Sequence, residues 1–109
     1  MWGLEKMSKY RNIKTNGYAS KKEANRAAEL KLLERAGSIT GLREQCVYIL
    51  APSVVVQGRK RPALRYISDF EYLENGNYIV EDCKGFRTPE YRIKRHLMKS
   101  VHGIDILET

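Results

Sequence analysis

The dipeptide Asn75-Gly76 constrains the fold of this chain more than any other feature, because it lies between two runs of β-favouring residues. Asn-Gly is the strongest short-range sequence signal for a two-residue hairpin turn. In such a hairpin Glu74 faces Asn77, and the pairing continues residue by residue along both strands. The sequence therefore predicts that Asp69 and Asp82 face each other across the hairpin.

The same register sorts the charged residues that end the second strand. Side chains alternate between the two faces of a strand, so Lys84 is expected beside Asp82, whereas Glu81 and Cys83 are expected on the opposite face. Two facing aspartates repel each other by ~0.2–1 kcal/mol. Either Lys84 neutralises part of this charge at a solvated strand end, or the two carboxylates share a divalent cation, for which oxygen ligands are suited.

Length and charge restrict the class of protein. The 109 residues suffice for one domain with its own core. Lys and Arg outnumber Asp and Glu by 20 to 13, giving a net charge of +7, which favours nucleic acid as a partner and an acidic membrane surface second. The sequence has no apolar run of the ~20 residues that span a bilayer. With only 2 cysteines and no signal sequence, a cytoplasmic setting is expected.

The remaining patterns predict a mixed α/β layer structure. A helix begins after the N-cap Ser20 and ends at Gly37, and a second begins after Thr88 and ends before Gly103. Strands are predicted over 44–50, 53–57, 63–73, 77–84 and 104–108, with a turn at "GRKR" (58–61). The predicted organisation is a basic N-terminal arm over 1–19, followed by a single domain over 20–109.

At the hairpin the sequence resembles the PD-(D/E)XK nucleases, the restriction-endonuclease-like superfamily. The matching motif is Asp69 followed by Asp82-Cys83-Lys84, with Ser68 where the superfamily often has proline. More narrowly, the chain resembles small phage and prophage members, through "SKYRNIKT", "SKKEANRAAELKLLERAGSI", "YISDF", "VEDCKGF" and "GIDILE". The resemblance implies a restriction-endonuclease-like core of a helix, three strands in hairpins, a helix and a further strand in a mixed sheet.

The resemblance also implies a magnesium site, in which Mn²⁺ would substitute for Mg²⁺. Asp69, Asp82 and the backbone carbonyl of Cys83 would bind the metal, and Lys84 would stabilise charge at the reacting phosphate. Glu23 would complete the metal site and the catalytic set, although its place three residues after Ser20 is also that of a helix capping box.

The predicted nucleic-acid-binding residues flank this motif. Their phosphate contacts would give affinity with little sequence specificity. For Tyr91 the alternative interpretation is an aromatic residue of the core, and for Lys94 it is a solvated surface charge. The set comprises Lys14, Arg59, Lys60, Arg61, Arg87, Tyr91, Lys94 and Arg95.

The expected function is a Mg²⁺-dependent DNA endonuclease, structure-selective or weakly sequence-specific, that serves phage DNA recombination, replication or packaging in the host cytoplasm. Because cutting two strands usually requires paired active sites, a homodimer is expected; no membrane partner is. The alternative is a catalytically inactive DNA-binding module that retains the nuclease fold. A weaker alternative is an RNA-binding accessory protein, since basic charge does not distinguish the two polymers.

Overall fold

A computed structural model describes residues 17–109 of the chain, which form two helices and eight strands. The helices are α1 (Lys21–Arg35) and α2 (Pro89–His102). The strands are β1 (Thr40–Glu44), β2 (Val47–Ala51), β3 (Val54–Val56), β4 (Arg59–Arg61), β5 (Leu64–Ile67), β6 (Phe70–Glu74), β7 (Asn77–Asp82) and β8 (Leu107–Glu108). Neither described helix is long and apolar enough to cross a membrane.

The central sheet has the strand order β1-β6-β7-β8. The pairs β1–β6 and β6–β7 are antiparallel, whereas β8 is parallel to β7, so the sheet is mixed. Two further antiparallel pairs, β2–β5 and β3–β4, form separate two-stranded sheets. The predicted class, helices and strands in layers with a mixed sheet, is confirmed.

The predicted hairpin register is confirmed from Glu74↔Asn77 to Phe70↔Glu81. Asn75 and Gly76 both have positive φ, at 52° and 80°, as a primed two-residue turn requires. Both predicted helix starts are also confirmed. The Ser20 side chain accepts a hydrogen bond from the Glu23 backbone N–H, and Thr88 likewise accepts one from Tyr91.

The predicted single strand over 63–73 is wrong, because the chain leaves one sheet and enters another within it. Strand β5 pairs with β2, and β6 pairs with β1 and β7. Ser68 and Asp69 lie between the two strands, and Ser68 is fully buried. Asp69 therefore lies at the seam between two sheets, just beyond the last regular pair of the β6–β7 ladder.

The predicted turn over 58–61 is also wrong. Gln57 and Gly58 form the turn, with φ values of 51° and 77°, and Arg59–Arg61 is strand β4. Strand β1 was not predicted, because "TGLRE" has little intrinsic β preference and is held by pairing with β6.

Hydrophobic clusters on both faces hold the central sheet. One cluster packs beneath α1 and the other beneath α2 and the β2–β5 pair. The first contains Ala27, Leu30, Ile39, Phe70 and Tyr72, and the second Leu50, Tyr66, Val80, Tyr91 and Met98. The two layers fix the ends of β6 and β7, where the predicted functional residues lie.

Candidate functional site

The structure brings together the two aspartates that the hairpin register predicts. Asp82 is the last residue of β7, and Asp69 precedes β6. Oδ2 of Asp69 accepts a hydrogen bond from the Cys83 backbone N–H at 2.8 Å, which draws its carboxylate towards the end of β7. Both aspartates and Lys84 line one cavity of about 490 Å³ between β5 and the start of α2.

Asp82 is buried with one oxygen satisfied and the other not. Oδ2 accepts a hydrogen bond from the Tyr66 hydroxyl. Oδ1 has no hydrogen-bond partner among the described residues; the Lys84 ammonium lies 3.4 Å away. A buried carboxylate oxygen left without a hydrogen bond costs about 1–3 kcal/mol or more. The nearby ammonium offsets part of the charge, yet the oxygen remains free to bind a cation.

The pKa of Asp69 reflects its burial next to a second carboxylate. Burial, and then the negative charge of Asp82, raise the pKa of Asp69 to about 7, against the opposing effect of the Cys83 N–H. A proton or a bound cation would relieve the repulsion between the two carboxylates. The residues therefore fit a divalent metal, because two adjoining carboxylates and a free buried oxygen form a hard-oxygen donor set.

Glu23 lies near the pair without completing a metal cluster. It is buried, and its pKa is raised first by burial and then by the charges of Asp82 and Glu44. No group of three or more His, Cys, Asp or Glu side chains within residues 17–109 is arranged to hold a metal ion. The Glu23 backbone N–H donates to the N-cap Ser20, and its side chain lies within electrostatic range of Asp82. Its role as a third ligand stays a prediction.

The ammonium group of Lys84 lies over the face of an aromatic ring. Its Nζ lies 4.5 Å from the ring centroid of Tyr91, a cation–π distance. The Tyr91 hydroxyl donates to Glu108 at 2.7 Å, so Tyr91 is both a core residue and part of the cavity wall. Lys94 also lines the cavity and pairs with Glu90 at 3.3 Å.

The other predicted nucleic-acid-binding residues are dispersed. Arg87 and Arg95 both pair with Glu108, at 2.6 and 2.9 Å, which neutralises part of their charge. Arg59, Lys60 and Arg61 are exposed on β4, away from the cavity lining. Lys14 lies outside the described residues.

The start of the predicted arm is likewise outside the described residues, but its end contacts the domain. The Tyr18 hydroxyl donates a hydrogen bond to Glu44 at 3.1 Å, and its ring packs against the α1-side cluster.

The alternation argument also holds for the opposite face of β7. Glu81 is fully buried there, and Arg26 donates to its two oxygens at 2.6 and 3.0 Å. Tyr72 and Thr109 donate to the same carboxylate. The Cys83 thiol lies 3.3 Å from the Thr109 hydroxyl, and burial raises its pKa, as expected for a structural thiol.

Sequence reasoning did not place strand β5 at the cavity. Tyr66, which orients Asp82, and Arg65 both come from β5. The aromatic-rich stretch "LRYI" was visible as a strand, but only the break after Ile67 brings it over the two aspartates. The signal that could have indicated this break is the adjacent polar pair Ser68-Asp69 in a run that is otherwise rich in aromatic and aliphatic residues.

One protein family matches nearly the whole chain. The family described as "Protein of unknown function (DUF1064)" covers residues 7–104, so the chain belongs to this family. No curated protein and no solved structure gives a significant match.

The raised pKa of Asp69 predicts a pH dependence of stability. The folded state binds a proton on Asp69 up to about pH 7, whereas the unfolded chain releases it near the ordinary aspartate pKa of 3.8. The free energy of unfolding should therefore fall as pH rises between these values, by at most about 4 kcal/mol. Asp69→Asn should lack this component, because asparagine keeps an acceptor for Cys83 without the charge.

Thermal unfolding of both proteins between pH 4 and 8 without divalent ions measures the difference. We expect added Mg²⁺ to restore stability to the wild type at pH 8 and to have much less effect on Asp69→Asn. Identical pH profiles for the two proteins would contradict the prediction.

Proposed function

We propose that this protein is a Mg²⁺-dependent DNA endonuclease that hydrolyses phosphodiester bonds. The observation that carries the proposal is the adjoining pair of Asp69 and Asp82, which shares a cavity with Lys84 and leaves Oδ1 of Asp82 without a hydrogen bond from the described residues. Two adjoining carboxylates destabilise the end of a hairpin, and a divalent cation held by Asp69 and Asp82 would offset their repulsion.

The order of elements supports the same proposal. Without the segment β2–β5, the chain runs α1, β1, β6, β7, α2, β8, with three antiparallel strands and a last strand parallel to its neighbour. This is the order expected for the restriction-endonuclease-like core. The segment β2–β5 is then an insertion between the first and second core strands.

Each side chain of the cavity has a chemical task in this proposal. Asp69, Asp82 and the Cys83 carbonyl would hold Mg²⁺, with Glu23 as a further ligand. When bound, the metal polarises the scissile phosphate and lowers the pKa of a coordinated water. Tyr66 fixes the carboxylate plane of Asp82 through its hydroxyl.

Lys84 would supply a second positive charge, beside that of the metal. Its ammonium, held over the ring of Tyr91, faces the same cavity as the carboxylates. From there it stabilises negative charge that develops on the phosphate, or orients the attacking water. Arg65 and Lys94, on the cavity wall, would bind flanking phosphates.

The net charge of +7 fits a DNA substrate held mainly through its backbone. Cleavage that depends on DNA structure, or only weakly on sequence, follows from this mode of binding. A homodimer would place two cavities on the two strands. Phage DNA recombination, replication or packaging, in the host cytoplasm, is the setting that we propose.

The test is a metal-dependence screen on supercoiled, linear, nicked, flapped and four-way-junction DNA. We expect cleavage with Mg²⁺ or Mn²⁺ and none with EDTA. Lys84→Met, which keeps the aliphatic stem over Tyr91 but removes the charge, should lower the cleavage rate at least ~100-fold. DNA binding in Ca²⁺ should persist.

Lys99→Met is the matched control, because Lys99 is exposed and pairs with Asp105 rather than with the cavity. It should cleave at the wild-type rate. If the wild type binds DNA but leaves every substrate intact with Mn²⁺, the inactive DNA-binding module replaces the proposed enzyme.

A further inference from the structure

The hairpin formed by β3 and β4 stands apart from the rest of the domain. Outside their mutual pairing, the two strands make only sparse contacts with the other described elements. Val54, Val55 and Val56 are 50, 70 and 46 % exposed, although they lie on alternating faces of β3. A surface hairpin normally buries one face against a core; here both faces are open.

Prolines mark both junctions of the hairpin with the body of the protein. Pro52 separates β2 from β3, and Pro62 separates β4 from β5. Proline donates no backbone hydrogen bond and restricts the residue before it. The ladder is interrupted at both positions, so that β3–β4 forms its own two-stranded sheet beyond the β2–β5 pair.

The charge of the hairpin has one sign. Strand β4 consists of Arg59, Lys60 and Arg61, all exposed, and the sequence from Pro52 to Ala63 contains no acidic residue. Each cation faces a valine across the ladder: Arg61 faces Val54, Lys60 faces Val55 and Arg59 faces Val56. Both faces of the ribbon thus present cations together with apolar side chains.

We infer that the β3–β4 hairpin inserts into the major groove of B-form duplex DNA. Paired strands lie ~4.8 Å apart, and the major groove, about 12 Å wide, admits a two-stranded β-ribbon. Inside it, cations on both faces reach the phosphates of the two groove walls. The valines suit contact with thymine methyl groups.

This inference rests on the proposed function for the identity of the polymer as DNA, and it specifies duplex DNA as the substrate class. Single strands offer no groove, and the major groove of A-form RNA is deep and narrow, so side chains cannot read it. From Arg59 to Asp69 the chain spans at most ~35 Å, about one turn of duplex. The hairpin would therefore bind the duplex within about one helical turn of DNA from the cleaved bond.

The experiment measures binding, so that it does not depend on catalysis. Fluorescence anisotropy in Ca²⁺ compares a 30-base-pair DNA duplex, the single strand of the same length and the RNA duplex of the same sequence. For R59Q/K60Q/R61Q we expect at least ~10-fold weaker binding to duplex DNA and a salt slope lower by ~2–3 units. Binding to the other two polymers should change less than threefold.

Two further variants make the result specific. Arg35, Arg92 and Lys99 are exposed cations on the helices, and R35Q/R92Q/K99Q removes the same charge while duplex affinity should stay within threefold of the wild type. Val55→Glu places an acidic group at the most exposed of the three valines and should also weaken duplex binding. Unchanged melting temperatures verify the fold of each variant.

Undiminished duplex binding by R59Q/K60Q/R61Q would overturn the inference, and so would an equal loss on all three polymers or an equal loss in R35Q/R92Q/K99Q. None of these outcomes affects the proposed enzyme, which the cleavage assay of Lys84→Met tests separately. Conversely, a wild type that binds duplex DNA through the hairpin but cuts nothing would leave this inference standing without the enzyme.

Discussion

Replacing Asp82 by asparagine is expected to lower Mg²⁺-dependent DNA cleavage about a thousandfold or more and, without divalent ions, to stabilise the fold. The first effect follows from the loss of a charged metal ligand, since ~4 kcal/mol of transition-state stabilisation corresponds to a factor of about a thousand. The second follows because asparagine no longer repels Asp69, whose pKa is raised first by burial and then by the charge of Asp82.

The substitution is suited to this test because the amide group of asparagine has nearly the same shape as the carboxylate, with one oxygen replaced by nitrogen. An asparagine oxygen can still accept the hydrogen bond from Tyr66. Cleavage rates on the preferred substrate, and melting temperatures at pH 8 with and without Mg²⁺, give the two readouts. Opposite signs of the two effects separate a functional carboxylate from a merely structural one.

Asp105→Asn serves as the control, because Asp105 is exposed and pairs with Lys99 away from the cavity. It should leave both cleavage and melting temperature close to the wild-type values. Cleavage by Asp82→Asn at more than a tenth of the wild-type rate would remove Asp82 from the metal site.

Arg26→Met is expected to lower the free energy of unfolding by about 3 kcal/mol. Arg26 makes two hydrogen bonds to Glu81, a carboxylate with no exposed surface. Burial alone would raise the pKa of Glu81, but the hydrogen bonds from Arg26, Tyr72 and Thr109 outweigh it and hold that pKa below its usual value. Removing the guanidinium leaves a buried charge uncompensated, which typically costs 3–5 kcal/mol.

A double-mutant cycle isolates this pair. Glu81→Gln in the Arg26→Met background removes the unpaired charge, and its neutral amide can still accept hydrogen bonds from Tyr72 and Thr109, so part of the stability should return. Arg35→Met, an exposed arginine on the same helix, should cost less than ~1 kcal/mol. Urea unfolding measures all terms on five proteins: the wild type, Arg26→Met, Glu81→Gln, the double variant and Arg35→Met. Equal losses for Arg26→Met and Arg35→Met would disprove the role of the pair.

Local chemistry made the hairpin and the helix ends predictable. Asn75-Gly76 requires positive φ at both positions, and this requirement alone sets the register of β6 and β7. Ser20 and Thr88 satisfy the first free N–H groups of their helices within three residues. Because the aspartates lie on that hairpin and Lys84 follows β7, most of the candidate site could be derived from the sequence.

What could not be predicted depends on distant parts of the chain. The run over 63–73 is rich in aromatic and branched residues and looks like one strand. It is divided at Ser68 and Asp69 only because its first part pairs with β2 and its second part pairs with β1 and β7. The pairing of Arg26 with Glu81 joins residues 55 positions apart, and nothing in the local pattern of either element indicates it.

Helical spacing in α1 predicts a core-facing stripe of Ala24, Ala27, Ala28, Leu32 and Ala36. This prediction failed for a similar reason. Ala24 and Ala27 are buried as predicted, but Leu30 takes the place that spacing gave to Leu32, which is 59 % exposed. On the inner face of α1, Glu23 is buried and Arg26 donates to Glu81 of β7, and charged residues do not enter an apolar periodicity.

The open hairpin also has a consequence for the colloidal behaviour of the protein. Each of its two strands has one unpaired edge, and "VVV" is the kind of apolar β-segment that pairs with copies of itself. Such pairing is opposed by Pro52 and Pro62, which interrupt the strands, and by the three cations of β4, which repel a second copy. High salt, which screens those cations, should therefore promote self-association of the free protein, and a bound polyanion that covers the ribbon should suppress it.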